Sequence, residues 1–388
     1  MVWVTSHPPG RIDLDACVTC GLCLPVCPTY RLTGDESASP RGRLAAIDAV
    51  DTGAAGIDER FGEIVDFCLQ CRACETACPS LVPFGRIIES ATAEVTAQLP
   101  SRGARLRRFA VATALTVPTL LRIGAVAIGV AQRIGIPSRG LRKIPLPQPS
   151  ARGGSWGPDD APTATLFVGC VADAWFSDIH KATIEVLLAA GYRVDAPPSQ
   201  TCCGALAAHD GYVDEADKMA ATNRTALRDA EVIVVNVAGC GAHLKADPEL
   251  GQKVRDVTEI VAAAIEDGRL PTLPPNGEQV AVQDPCHLEH GQGVVKEPRT
   301  VLRAAGYEAV DADSGGLCCG AAGTYLIDHP DTSNELGRRK AASVEATGTR
   351  LVASANAGCE MQLRRFLDAG FEVRHPIELY VSRLKPQI

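Results

Sequence analysis

The stretch from Cys17 to Pro28, CVTCGLCLPVCP, reads Cys-x2-Cys-x2-Cys-x3-Cys-Pro, and the same spacing returns from Cys68 to Pro79 as CLQCRACETACP. Nothing else in the chain restricts its fold and chemistry as strongly. Three thiolates at two-residue intervals wrap the corners of one cubane iron–sulfur cluster, and the fourth, followed by proline, turns away to the other cluster where two are present. On that spacing Cys17, Cys20, Cys23 and Cys78 hold one [4Fe–4S] cluster, and Cys27, Cys68, Cys71 and Cys74 hold the second. Zinc knuckles or a disulfide framework would use Cys pairs or Cys/His mixtures, not two copies of a four-Cys run ending in proline.

The remaining sequence must bury a sizeable core. Of 388 residues, 46% are hydrophobic, which supports two or three domains. The sixteen cysteines fall in metal-ligand spacings. The amino-terminal segment lacks a basic stretch followed by an apolar core, so a cytoplasmic, reducing location is expected. A formal net charge of −8 argues against general nucleic-acid binding. Charge is unevenly distributed. Residues 1–94 carry 7 basic and 13 acidic side chains, whereas residues 95–158 carry 10 basic and none acidic.

Residues 1–94 read as the two-cluster module. Between its Cys runs a helical pattern extends from Arg43 to Val50. Arg41 and Arg43 leave the first run; each either raises a cluster potential or pairs with Asp35 or Glu36 at the surface. Residues 95–162 read as a basic, apolar helical linker or docking segment. Its apolar runs of 13 and 9 residues, FAVATALTVPTLL and IGAVAIGVA, fall short of the roughly 20 needed to span a membrane. The combination suits a partner subunit or the anionic inner face of the cell membrane, the alternative being a helical linker packed on its own domain.

Residues 163–275 and 276–388 form an internal repeat. The first copy has Cys170, the CCG triplet Cys202-Cys203-Gly204, and Cys240; the second has Cys286, Cys318-Cys319-Gly320, and Cys359. In each copy 31 residues intervene between the first cysteine, Cys170 or Cys286, and the Cys pair. Strand-like runs (TLFV, VIVV, VAV, LVA) alternate with helical patterns, as in α/β folds with parallel sheets, whose crevice beyond the strand ends binds ligands. The four single cysteines sit at such strand ends. Neither Gly-x-Gly-x-x-Gly nor a phosphate loop occurs, so nucleotide binding is not expected. Four thiols per copy suffice for iron–sulfur or zinc. His287 and His290 flank Cys286, where they either face a cluster or partner site or satisfy a local carbonyl.

Two ferredoxin-type runs followed by two CCG domains resemble the heterodisulfide-reductase-related iron–sulfur subunits, and most closely the glycolate oxidase iron–sulfur subunit family. CGLCLPVCPTYRLTGDESASPRGRL, VVNVAGCGAHLK, DPCHLEHGQGV, LCCGAAGTY and ANAGCEMQ carry the likeness, from about residue 12 to about residue 380. The resemblance implies a helical ferredoxin-like module followed by a tandem α/β CCG repeat. It also implies a partner that carries FAD and oxidises glycolate or D-lactate, with electrons passed through this chain to a quinone or other carrier. An anaerobic glycerol-3-phosphate dehydrogenase subunit is the rival within the same resemblance; a CCG-type disulfide reductase and a zinc-stabilised scaffold are rivals from other classes. The wider family's CCG pattern ends in Cys-x-x-Cys and supplies five thiolates. Here His243 and Gln362 stand at the last position. A cubane, rather than zinc, is then expected in at least one copy: the first, with His243 in support, is the better candidate, and the second, with Gln362, is expected to be vacant or modified.

Overall fold

The computed structural model describes residues 2–99, 103–114, 116–134, 146–313 and 316–384. The basic tail 135–145 of the linker lies outside them.

The amino-terminal module is helical: Arg11–Asp15, Pro28–Thr33, Pro40–Asp51, Glu59–Asp66, Ala73–Thr76 and Phe84–Gln98. Its core joins Ile47, Val50, Phe61, Val65, Ile87 and Ile88, with Cys74 inside the same cluster. The helix expected from Arg43 starts at Pro40, because the Ser39 hydroxyl accepts the Gly42 amide at 2.9 Å and proline needs no donor at the first position.

Two sheets follow. The first contains β1 (Ser155–Trp156), β2 (Thr163–Leu166), β3 (Arg193–Asp195), β4 (Val232–Val235) and β5 (Val254–Asp256), in the order β1-β3-β2-β4-β5. Only β1 is antiparallel, at an edge. The second contains β6 (Gln279–Gln283), β7 (Glu308–Asp311), β8 (Leu351–Ser354) and β9 (Glu372–Arg374), all parallel, in the order β7-β6-β8-β9. The central strands β2, β4, β6 and β8 are the buried, mostly apolar ones, as the middle of a parallel sheet covered on both faces requires, whereas the outer strand β7 exposes Glu308 and Asp311.

The two repeats share one core. Leu166, Val194 and Val234 of the first sheet belong to the same buried cluster as Val280, Val282 and Ala353 of the second. The helices Ser177–Ala189, Val257–Glu266, Lys296–Ala304 and Pro376–Leu384 fill the space between them. Neither repeat could be removed without exposing apolar surface of the other.

The linker helices Ala104–Phe109 and Pro118–Arg133 lie on the first repeat, with Val111 and Leu121 buried among Phe167, Leu227 and Ile233. Three of the described arginines here pair with acidic side chains of the repeats. Arg107 binds Asp210 of the first repeat at 3.0 Å and Asp328 of the second at 2.8 Å. Arg108 donates to Glu215 at 2.8 Å and Arg122 to Asp173 at 3.3 Å. Three of the segment's ten basic residues are thus matched by acidic side chains of the repeats. None of the described helices is long and apolar enough to cross a membrane.

Candidate functional site

The two Cys runs fold into twin loops. In the first, Thr19 (φ 56°) and Gly21 (φ 83°) are left-handed; in the second, Gln70 (φ 52°) and Arg72 (φ 64°) occupy the same positions in the same conformation. Left-handed non-glycine residues cost on the order of 1 kcal/mol each, so their recurrence marks a loop shaped for its contents. Such turns aim backbone amides inward, as the Gln70 amide does at the Cys68 sulfur, 3.4 Å away.

The loops exchange their last cysteines. One cavity is lined by Cys27, Cys68, Cys71 and Cys74. Another is lined by Cys17, Cys20, Cys23 and Cys78, with Cys74 at its wall. Burial pushes the Cys68, Cys71 and Cys74 thiols up, so their thiolates need cationic compensation. Arg43 supplies it. Its guanidinium is fully buried and donates to the Ala38 carbonyl at 2.7 Å and the Ile64 carbonyl at 2.9 Å. Among the described residues no carboxylate pairs with it. A buried cation without a counter-anion is expensive, and a cluster held by four thiolates is an anion of the opposite, compensating sign. The donor set and the charge thus fit a [4Fe–4S] group. Arg41, by contrast, pairs with Glu36 at 2.7 Å and also donates to the Thr19 carbonyl, so it is a surface ion pair that ties down the first loop.

The repeated cysteines lie at the two topological switch points. Cys170 follows β2 and Cys240 follows β4, the neighbouring strands from which the first sheet grows in opposite directions. Cys286 follows β6 and Cys359 follows β8 in the same relation. Each Cys pair enters on a left-handed glycine. At Gly320 a Cβ would stand 2.7 Å from the Ser333 carbonyl oxygen, so no side chain fits there.

In the first copy the Cys170 and Cys202 sulfurs are 3.2 Å apart, and Cys203 interacts with both Cys202 and Cys240. Donation from Cys170 and Cys203 favours the Cys202 thiolate. In the second copy Cys319 and Cys359 are 2.9 Å apart, and Cys318 interacts with Cys286 and Cys319. Among the described residues no three His, Cys, Asp or Glu side chains close on a point as a single ion requires. Four thiols per copy are as many as either an iron–sulfur cubane or a zinc ion takes.

His243 is half-buried near Cys202, and desolvation lowers its pKa, favouring the neutral imidazole. Gln362 faces away from metal chemistry: its amide donates to the Ser333 carbonyl at 3.1 Å and hydroxyl at 3.2 Å. Among the described residues His287 and His290 satisfy no local carbonyl; both find partners in the second Cys run. His287 Nε2 lies 3.1 Å from the Gln70 carbonyl oxygen and His290 Nδ1 lies 3.0 Å from the Thr76 hydroxyl. Both therefore fasten the Cys286–Gln292 helix to the second Cys run. Cys71, Cys318 and Tyr325 consequently share one buried cluster, with the partly buried Cys286 packed against it.

Two residues near the repeat sites were not singled out from the sequence. Arg152 donates to the Gly169 carbonyl at 2.7 Å beside Cys170, while its Nε is buried without a partner. Lys340 is buried near Cys286 and binds Asp313 at 3.1 Å. Each places positive charge by a thiol group, as Arg43 does. Arg152 sits in a Gly-rich turn and Lys340 in a polar helix, and neither context signals burial.

Comparison with known proteins agrees with this geometry. The 4Fe-4S dicluster domain family matches residues 13–82, and the cysteine-rich (CCG) domain family matches residues 164–245 and 280–364. The chain is 32% identical over 394 residues to the probable glycolate oxidase iron-sulfur subunit of Bacillus subtilis (strain 168), covering 91% of this chain and 88% of that protein. It is 31% identical over 404 residues to the glycolate oxidase iron-sulfur subunit of Escherichia coli (strain K12), covering 96% and 95%. Lactate utilization protein A of Bacillus velezensis is 29% identical over 239 residues, 56% of this chain and 99% of that protein. Two thiol-lined cavities, a duplicated CCG site and likeness along nearly the whole length place this chain in the glycolate oxidase iron–sulfur subunit family.

Proposed function

We propose that this chain is the electron-relay subunit of a 2-hydroxy-acid dehydrogenase complex, with glycolate or D-lactate oxidised on an FAD-bearing partner and a quinone or similar carrier as acceptor. Cys17, Cys20, Cys23 and Cys78 would hold one [4Fe–4S] cluster, and Cys27, Cys68, Cys71 and Cys74 the other. When bound, such clusters accept and release single electrons without bond rearrangement. The protein's part is to hold the thiolates, exclude water and set the potential through Arg43. At least one repeat site would hold a further cluster.

The observation that carries the reading is the contact of the second Cys run with Cys286 and Cys318. Thiols of the second run thereby lie against those of the second repeat, an arrangement suited to passing electrons between the two. The names of the relatives support the substrate class. On this reading the complex is cytoplasmic. Peripheral membrane contact would use the exposed row Ile123, Val126 and Val130 of the Pro118–Arg133 helix.

The test is anaerobic purification of the tagged chain with its bound partners. Iron, sulfide, zinc and flavin are measured per chain, and dye reduction is assayed with glycolate, D-lactate and glycerol 3-phosphate. Flavin with reduction by a 2-hydroxy acid is expected. Reduction by glycerol 3-phosphate alone would replace the substrate class, and a colourless zinc protein would overturn the relay.

A further inference from the structure

The twin loops are treated differently by the rest of the chain. In the second, Leu69 and Ala73 are 5% and 4% exposed, covered by Cys318, Tyr325 and Leu336 of the second repeat. The same positions in the first loop are Val18 and Leu22, which are 65% and 55% exposed. Leu81, 81% exposed, follows Cys78, and its neighbours Ser80 and Val82 line the same cavity as Val18 and Leu22. Of the sixteen cysteines, all described, Cys20 of this loop is the one that is exposed.

We propose that Val18, Leu22 and Leu81 form the docking surface for the flavin-bearing partner subunit. The inference rests on the relay reading and adds the place of contact. The chain itself shows what this loop surface does when covered: the second copy buries its aliphatic positions against a protein domain. Exposed aliphatic side chains around a polar rim are a common mark of such contacts. The nearby charges are already matched. Arg41 pairs with Glu36, Arg86 with Asp13, and Arg11 with Asp48. A neutral apolar patch suits a protein surface and offers little to anionic lipid, which needs unpaired basic residues. A partner that exchanges electrons must also approach a cluster closely, and Cys20 is where a cluster ligand reaches the surface.

The experiment uses the full-length tagged chain, co-purified anaerobically with its partners, and reads acid-released flavin and iron per chain. Leu22→Glu and Leu81→Glu are each expected to lower flavin per chain at least tenfold, with iron unchanged for Leu81→Glu, which lies outside both Cys runs. Ile123→Glu on the linker helix should leave flavin unchanged. A photo-cross-linking residue at position 22 should trap the flavin-bearing chain. If Leu22→Glu also loses iron, Leu81→Glu decides. Flavin retained by Leu81→Glu at native iron content overturns the docking surface and leaves the relay standing. A native chain that co-purifies without flavin overturns the relay reading and the surface with it.

Discussion

Cys71 of the second Cys run lies in a buried apolar cluster against which the partly buried Cys286 of the second repeat packs, although the two belong to separate modules. Burial and the proximity of Cys286 both push the Cys71 thiol up. Two groups of thiols that each disfavour their charged form would gain nothing from adjacency unless metal neutralises them. The contact is also fastened from both sides, by His287 on the Gln70 carbonyl and by His290 on Thr76.

A cluster at the second repeat should therefore couple magnetically to the one at Cys27, Cys68, Cys71 and Cys74. In Cys286→Ser, iron should fall by about four per chain, the iron content of one cubane, and the coupling should disappear from the EPR spectrum of the reduced protein. Unchanged iron and spectrum would mean that this site holds no cluster.

Much of this was legible in the sequence, for definite reasons. The α/β repeat announces itself because buried parallel strands read as continuous apolar runs, and the single cysteines fall at their ends. The contact between Cys71 and Cys286 was not legible, since spacing motifs describe one chain segment at a time. The twin loops' burial was equally hidden: Val18 and Leu69 are chemically alike, and only tertiary packing separates them. His243 was weighed as a ligand from its offset to Cys240, but an offset does not report that its ring stands against Gly204 and beside Cys202.

Arg43 provides a test of the electrostatics. The reduced cluster carries one more negative charge, which a buried cation stabilises. Arg43→Gln should lower the potential of the Cys27, Cys68, Cys71, Cys74 cluster by roughly 60 mV or more, a tenfold change in a one-electron equilibrium. Arg43→Lys keeps the charge and should shift it less, while losing the fork that reaches both the Ala38 and Ile64 carbonyls. Potentiometric titration followed by EPR distinguishes the two. Equal potentials in Arg43→Gln and the native protein would remove Arg43 from the tuning.

The linker arginines carry a different expectation from the one their composition suggests. A basic segment reads as an electrostatic anchor, yet Arg107 clamps Asp210 and Asp328 across the two repeats. Asp210 is buried, so Arg107→Ala leaves its carboxylate with the Thr324 hydroxyl but no cation and should cost about 2 kcal/mol of stability. Denaturant unfolding measures this. Membrane binding, where present, should instead fall in the Ile123→Glu and Val130→Glu double variant, read by co-sedimentation with vesicles containing anionic lipid. Release by Arg107→Ala with full stability would return the charge to the membrane reading.

Asp256 tests how burial sets the pH dependence of the repeat core. It caps the Val257–Glu266 helix, accepting the Thr258 amide at 2.9 Å, while Glu259 reaches back to the Asp256 amide at 2.7 Å. Its Oδ2 is buried without a partner. Burial raises its pKa from 3.8 to about 6. The folded protein thus binds this proton more tightly than the unfolded chain does. Stability from this group is greatest below the unfolded value, falls as pH rises towards the folded value, and is level above it. Asp256→Asn keeps one acceptor for the cap and cannot ionise. Between pH 5 and pH 8 the variant should gain about 1 kcal/mol relative to the native chain, the part of the shift lying in that window. The trend, and not the offset, carries the test, because the new amide adds a constant cost of its own. Urea unfolding at several pH values gives it, and parallel pH profiles for the two proteins would show that Asp256 is ionised in the folded state at its ordinary value.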